Sequence, residues 1–186
     1  MKLTFEQSGH VYRVDGRVVP GVSSVIARGG WIDDVRAFYT EESQRRGTRV
    51  HRACLDIDLG SFSGEAFEVD AGFIESYLQW RRLVRPVWST LETLRYSKHY
   101  DLCGCADRVG VDGSGRPLVL DLKTGAKQKW HRYQLALYDL IYDDIPARIR
   151  RRVSLHLQRD GSIARGEEYI DPSDYDRALR LLRTPP

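Results

Sequence analysis

The sequence predicts an α/β (α+β) fold in which helices flank a central mixed β-sheet. One observation is the alternating apolar pattern on both sides of the Gly-rich segment 112–116, which is typical of a β-hairpin. A second is the helical spacing of large apolar residues within 68–84. The third is the length of 186 residues, which fits a single domain over residues 1–186 with one sizeable core.

The N-terminal third predicts one hairpin and three helices. Residues 10–19 alternate around a central Asp-Gly pair, which indicates an opening β-hairpin. We expect Ser23 or Ser24 to cap the short helix that follows. We also expect Asp33 to cap a helix that runs to about residue 46 and ends at Gly47-Thr48, before a further helix that carries His51.

The remaining two thirds alternate between helical and extended patterns. A helix over 68–84 precedes a strand near 93–100, which leads into the central hairpin. The pattern next predicts a helix over about 127–142 and a strand over 148–157 that pairs with 163–170. A final helix is expected to begin at Pro172, since proline is favoured at the first helical position.

Composition excludes several classes of protein. The sequence has no run of about 18 apolar residues, so we expect no membrane partner. Its start lacks the long apolar region of a secretion signal, and its three cysteines are too few and too odd in number for a disulfide framework. A reducing, cytoplasmic location is therefore expected. The net charge of +3 does not by itself name a nucleic-acid partner.

Two acidic residues and a lysine in the central hairpin form the strongest candidate site. Asp107 is expected on the first strand, whereas Asp121 and Lys123 end the second. Side chains two apart on a strand point to the same face, so Asp121 and Lys123 project together, away from the buried leucines 118, 120 and 122. Carboxylates from adjacent strands can converge near the ammonium group and bind a hard divalent cation. The alternative that stays open is a plain Asp121–Lys123 ion pair.

This arrangement is the pattern of a metal-dependent phosphodiesterase. The lysine can orient a water molecule or offset negative charge that develops in the reaction. Basic residues follow the strand directly, and they are the basic group best placed to hold a polyanion by its phosphates: Lys127, Lys129, His131 and Arg132. The other arginine groups of the sequence are expected to be solvated faces.

Four motifs together resemble the PD-(D/E)XK nuclease superfamily, in particular its RecB-like and Cas4-like exonuclease branch. They are Gly47-Thr48-x-x-His51, Gly104-x-x-Asp107, Asp121-x-Lys123 and Gln134-x-x-x-Tyr138. The pattern from Val11-Tyr12 to Ser24-Val25 resembles phage exonucleases of that group. The resemblance covers about residues 10–157 and implies a restriction-endonuclease-like nuclease core.

Carried over position by position, the resemblance implies a metal site and a catalytic lysine. The implied metal ligands are His51, Asp107, Asp121 and the carbonyl of Leu122, and the implied catalytic residues are Asp107, Asp121 and Lys123. Gln134 and Tyr138 lie one helical turn apart, and the resemblance implies that they brace the site or contact DNA. Glu92 is expected only to support the ligands from outside. Mg²⁺ or Mn²⁺ is the expected cofactor, because an imidazole beside two carboxylates softens the site slightly.

The resemblance also implies the reaction and the partners. The expected enzyme is a metal-dependent deoxyribonuclease, an exonuclease acting on single-stranded DNA or free DNA ends in recombination or repair, in a bacterial or phage-infected cell. A recombinase, a helicase or a single-strand-binding protein would be its partner. An endonuclease of the same fold and a catalytically degenerate DNA-binding module are the alternatives. The segment 143–186 contains no cysteine, so no iron–sulfur cluster is expected.

Overall fold

The computed structural model describes residues 1–6, 9–30, 40–64, 68–142 and 149–184. Three short N-terminal strands form an antiparallel sheet in the order β1-β2-β3, namely Leu3–Glu6, Val11–Val14 and Arg17–Val19. The last two are the predicted opening hairpin, and both turn residues, Asp15 and Gly16, have positive φ as a tight hairpin turn requires. That prediction is confirmed.

The central sheet of the described residues has five strands in the order β10-β9-β8-β7-β4. These strands are β4 (Val87–Leu91), β7 (Arg108–Val111), β8 (Pro117–Lys123), β9 (Arg151–His156) and β10 (Arg165–Glu168). β8 and β9 run parallel and the other neighbours are antiparallel, which confirms the predicted mixed sheet. β5 (Arg95–Ser97) and β6 (Leu102–Gly104) form a separate antiparallel pair.

Helices cover both faces of this sheet. α1 (Val22–Arg28), α4 (His131–Ile141) and α5 (Ser173–Arg183) share a buried cluster with Val109 and Val119 of the sheet. α2 (Glu41–Leu59) and α3 (Ala71–Val84) share a second cluster with the other face, which includes Leu118, Leu120 and Leu122. β8 is therefore buried on both sides, with its leucines toward α2 and α3 as the alternation predicts. No helix in the described ranges has the length and apolar character needed to cross a membrane.

The predicted helix break at Gly47-Thr48 is wrong, because α2 runs through both residues. A glycine inside a helix costs only about 1 kcal/mol relative to alanine, and burial of Val50, Cys54 and Ile57 on the following turns offsets that cost. Thr40 caps the helix by accepting a hydrogen bond from the Ser43 amide at 3.1 Å. The predicted cap at Asp33 lies outside the described residues.

Other boundaries moved by one to four residues. Gly21, not a serine, precedes the first turn of α1, and Ser24 instead accepts a hydrogen bond from the Gly21 amide at 3.1 Å. Asp107 lies just before β7 rather than within a strand. The helix expected from 127 begins at His131, and Pro172 precedes the final helix instead of starting it.

Candidate functional site

His51, Asp107 and Leu122 come together where α2 crosses the end of β8. The antiparallel register pairs Arg108 with Leu120, so the preceding residue, Asp107, lies beside the end of β8. Its Oδ2 accepts the Leu122 amide hydrogen at 2.7 Å and lies 3.5 Å from His51 Nδ1. The other ring nitrogen of His51, Nε2, lies 3.1 Å from the Leu122 carbonyl oxygen. The imidazole of His51 thus lies between the Asp107 carboxylate and the Leu122 carbonyl, with one ring nitrogen toward each.

Glu92 joins this group from the end of β4. One ligand atom each from His51, Glu92 and Asp107 lie within 4.8 Å of one another, and we call these three residues the donor cluster. The Glu92 amide donates to the Asp107 carbonyl at 3.0 Å, which joins the segment just after β4 to the segment just before β7. Its φ of 40° lies in the left-handed region, where a side chain other than glycine is strained. The sequence expectation of a supporting role for Glu92 understates how near it lies.

Asp121 and Lys123 project from the face of β8 opposite its leucines, toward α4. The Lys123 ammonium contacts Asp121 Oδ2 and donates to Gln134 Oε1 at 3.0 Å. We call Asp121, Lys123 and Gln134 the lysine cluster. The Asp121–Lys123 ion pair, which the sequence left as an alternative, is thus present. Lys123 also lies 5.3 Å from the centre of the Trp130 ring.

Gln134 and Tyr138 extend the lysine cluster along α4. Gln134 Nε2 lies 3.5 Å from the Tyr138 hydroxyl, as their spacing of one helical turn requires. A side chain at Gly104 would approach Ile141, Val22 and Tyr138 within 2.8 to 3.1 Å, so the motif glycine lets α1 and α4 close over β6. Gln134 therefore orients the ammonium, while Tyr138 lies behind it.

The charges of the site are strongly coupled. Burial would lower the pKa of His51, but the neighbouring Asp107 carboxylate outweighs it and raises the pKa overall. Burial raises the pKa of Asp107, but His51 and the Leu122 amide lower it by more, so the pKa lies below its ordinary value. For Asp121, burial and the nearby Asp107 charge raise the pKa despite the Lys123 ammonium. Asp107 is thus held ionised, whereas the ionised form of Asp121 is disfavoured.

Two cavities open on either side of His51. One has a volume of about 430 Å³ and is lined by Arg46, Lys123, Gln128 and His131 among others. The second, of about 410 Å³, is lined by His51, Arg52 and Glu92. Burial lowers the pKa of His131 to about 2, with the Lys123 charge adding to the effect, so the wall beside the ammonium stays neutral. The site therefore lies in a cleft open to solvent on both sides.

The basic residues after β8 are not equally free. Lys127 forms an ion pair with Glu167, and Arg132 lies 3.7 Å from Asp174 and 5.5 Å from the centre of the Tyr169 ring. Lys129 is exposed, and the described residues contain no ion pair to it. Of the four basic residues predicted to hold a polyanion, His131 is buried and neutral, which contradicts that role. Among the other three, only Lys129 has no acidic partner in the described part of the chain.

The residues present fit a divalent cation. The donor set combines carboxylate and carbonyl oxygens with one imidazole nitrogen, which Mg²⁺ and Mn²⁺ accept. Asp121 Oδ2 is buried and, within the described ranges, has no hydrogen-bond donor in good geometry despite its contact with the ammonium. A buried carboxylate oxygen left in this state is costly unless a cation compensates it.

Comparison with known proteins agrees with this geometry. The family model of the PD-(D/E)XK nuclease superfamily matches residues 31–180, and the chain belongs to that superfamily. Members of the superfamily are nucleases that use divalent metals. No curated protein matches the sequence. Among solved structures, one titled "Crystal structure of SSO0001" is similar with a TM-score of 0.42 and 16% identity, covering 87% of this chain and 71% of that chain.

Two residues of the site escaped the sequence analysis. Arg108 is fully buried behind the donor cluster, and Trp130 flanks the lysine. The role of Glu92 depends on β4, whose run Val-Trp-Ser-Thr-Leu is rich in β-branched and aromatic residues. That composition is the signal that could have predicted β4 and so brought Glu92 to the site.

Proposed function

We propose that the chain is a metal-dependent deoxyribonuclease of the RecB-like branch that acts as an exonuclease on DNA ends in recombination or repair. The observation that carries the proposal is the contact of His51 Nε2 with the Leu122 carbonyl oxygen at 3.1 Å. The resemblance to that branch rests on a helix-borne imidazole beside the Asp-x-Lys strand. The superfamily membership supports the phosphodiester chemistry.

The donor cluster, Asp121 and the Leu122 carbonyl would hold one or two Mg²⁺ or Mn²⁺ ions. The cation, when bound, supplies Lewis-acid stabilisation of the negative charge that builds up on the phosphate oxygens. Asp107 would act as an ionised ligand of the cation, because its pKa is held low by His51 and the Leu122 amide. The carbonyl of Leu122 is available to the site because the pairing of β8 with β7 ends at Leu120.

Lys123 would assist the attacking water. Water adds to phosphorus in line and releases a proton to solvent, the bond from phosphorus to the 3′-oxygen breaks, and that oxygen leaves with the electron pair and takes up a proton from solvent. The Lys123 ammonium, oriented by Gln134 at 3.0 Å, donates hydrogen bonds to the water or to the charge developing on the phosphate. Asp121 would hold the ammonium close to the reacting atoms by direct contact.

The open cleft supports binding of a DNA strand across the site. Arg46 lies in the wall of the larger cavity, with its guanidinium 5.5 Å from the centre of the Phe73 ring. The exposed Lys129 follows on the loop before α4, where it can contact a backbone phosphate without reading bases. A recombinase, a helicase or a single-strand-binding protein would deliver such a strand.

Product analysis separates the exonuclease from the endonuclease alternative. We expect end-labelled linear DNA, incubated with Mn²⁺, to release mononucleotides or short oligonucleotides from its ends, with single and double strands compared in parallel. Closed circular DNA of the same sequence is the control and should resist cleavage. Rapid cutting of closed circles, single- and double-stranded alike, would contradict the exonuclease assignment and favour an endonuclease. Binding of DNA without cleavage of either substrate would favour a degenerate binding module.

A further inference from the structure

A buried guanidinium lies directly behind the donor cluster. The side chain of Arg108 is 0% exposed, as is that of its partner Asp58. Arg108 Nε donates to Asp58 Oδ2 at 2.6 Å, and Asp58 also accepts from the Tyr77 hydroxyl at 2.6 Å and from Arg81 Nε at 2.8 Å. Asp58 lies on α2 about two helical turns after His51. Asp58, itself held by Tyr77 and Arg81, thus ties Arg108 to the helix that carries the imidazole.

The other edge of the same guanidinium reaches the donor cluster. Arg108 Nη1 donates to the Asp107 carbonyl oxygen at 2.8 Å and to Glu92 Oε1 at 3.3 Å. The Asp107 carbonyl therefore accepts from both Arg108 and the Glu92 amide. The Arg108 guanidinium therefore contacts the main chain of Asp107 and the carboxylate of Glu92. Its partner Asp58 ties it to α2, the helix that carries His51.

We propose that Arg108 is the positioning residue of the site, which holds Glu92 and Asp107 in the geometry that binds the divalent cation. The inference rests on the proposed function, because it assigns Arg108 a role in the same metal site. Glu92 has a φ of 40°, a backbone conformation that costs free energy and persists only where neighbouring contacts hold the residue. Arg108 supplies a charged hydrogen bond to the Glu92 carboxylate from the buried side.

The geometry requires arginine rather than lysine. The contacts to Asp58 and to Asp107 leave from different edges of one planar group, Nε and Nη1. An ammonium group is a point charge on a flexible stem and cannot span the two directions with fixed angles. A lysine at this position would preserve the buried charge and lose the bridge between α2 and the donor cluster.

A second buried ion pair in the molecule provides the matched control. Arg150 Nη1 and Asp139 Oδ1 lie 3.0 Å apart, and both side chains are 0% exposed. This pair joins α4 to the residues before β9, and neither residue contacts the donor cluster in any interaction that the structure describes. Arg150→Lys therefore perturbs a buried arginine of the same kind without the contacts to Glu92 and Asp107.

The test measures Mn²⁺ affinity by calorimetry together with thermal unfolding. Arg108→Lys and Glu92→Gln should each weaken Mn²⁺ binding about tenfold, as loss of an outer contact or of one ligand does. The double variant should lose less Mn²⁺ affinity than the product of the two single effects, because Arg108 acts in part through Glu92. Arg150→Lys should lower the unfolding temperature and leave Mn²⁺ affinity unchanged.

Three results would overturn the inference. They are unchanged Mn²⁺ affinity in folded Arg108→Lys, multiplication of the two effects in the double variant, and an equal loss of affinity in Arg150→Lys. If Arg108→Lys does not fold, Asp58→Asn studied at reduced temperature replaces it, since it keeps the shape of the anchor and removes its charge. Unchanged Mn²⁺ affinity in Asp58→Asn would also contradict the proposal. A wild-type protein that binds no Mn²⁺ would instead refute the proposed function itself.

Discussion

The donor cluster and the lysine cluster adjoin the same cavity at the end of β8 and differ in how their charge is balanced. In the donor cluster, the side chains of His51, Glu92 and Asp107 remain 30%, 32% and 14% exposed. In the lysine cluster, Asp121 and Lys123 are 6% and 16% exposed and are in direct contact. One region thus carries acceptors open to the cleft, and the other carries its own cation.

This difference indicates which substitutions should change the affinity for metal. The donor cluster brings two carboxylates and an imidazole together with one buried arginine behind them, so a cation in the cleft lowers its free energy. In the lysine cluster, Lys123 offsets part of the Asp121 charge and is oriented by Gln134. We therefore expect substitutions in the donor cluster to change metal affinity and those of Lys123 to change the reaction rate alone.

The largest effect is expected for Asp107→Ala. The change removes a carboxylate oxygen from the donor cluster and leaves the Leu122 amide without its acceptor. Cleavage of labelled DNA should fall by at least about a hundredfold and Mn²⁺ binding in calorimetry should be lost. Asp160→Ala, which removes an exposed turn carboxylate, is the control and should change neither. Retention of native Mn²⁺ affinity by Asp107→Ala would place the cation elsewhere.

Lys123→Met tests the other half of the comparison. Removal of the ammonium should lower the cleavage rate about a hundredfold, because a transition-state donor is lost. Mn²⁺ affinity should stay within a few-fold of the wild type, because the donor cluster is intact. Single-turnover cleavage and calorimetry on the same preparation measure the two quantities. A wild-type rate with native metal affinity would refute the catalytic role of Lys123.

His51→Ala should have a smaller effect that depends on the metal. The variant loses one ligand atom but keeps both carboxylates of the donor cluster. We expect reduced cleavage in Mg²⁺, partly relieved by Mn²⁺, with the fold retained in circular dichroism. Full activity in both metals would show that His51 only packs, and the assignment to the RecB-like branch would then fail.

The smallest effect concerns the loop after the lysine cluster. Lys129→Ala should lower the slope of log affinity against log salt by about one unit, as loss of one phosphate contact does. Lys127→Ala is the matched variant and should change the slope less, because Lys127 already pairs with Glu167. DNA binding measured by fluorescence anisotropy at several salt concentrations checks both. Equal slopes for Lys129→Ala and the wild type would exclude this contact.

The sequence predicted the lysine cluster better than the donor cluster, for a physical reason. Asp121 and Lys123 lie two apart on one strand, and the period of a strand alone brings them together. The approach of Glu92 depends on the pairing of Leu91 with Arg108 and on a left-handed residue after β4, which local patterns do not contain. The continuation of α2 through Gly47 was likewise decided by burial on the turns that follow it rather than by propensity.

The most direct test of the account is reconstitution of cleavage in the chelator-treated protein. We expect no cleavage of end-labelled linear DNA in excess EDTA and full recovery when Mn²⁺ or Mg²⁺ is added above the chelator, with Ca²⁺ binding but not supporting turnover. Asp107→Ala, treated in the same way, should recover no activity. Undiminished cleavage in excess EDTA would contradict the metal-dependent mechanism, and so would a folded protein that cleaves at no concentration of either metal.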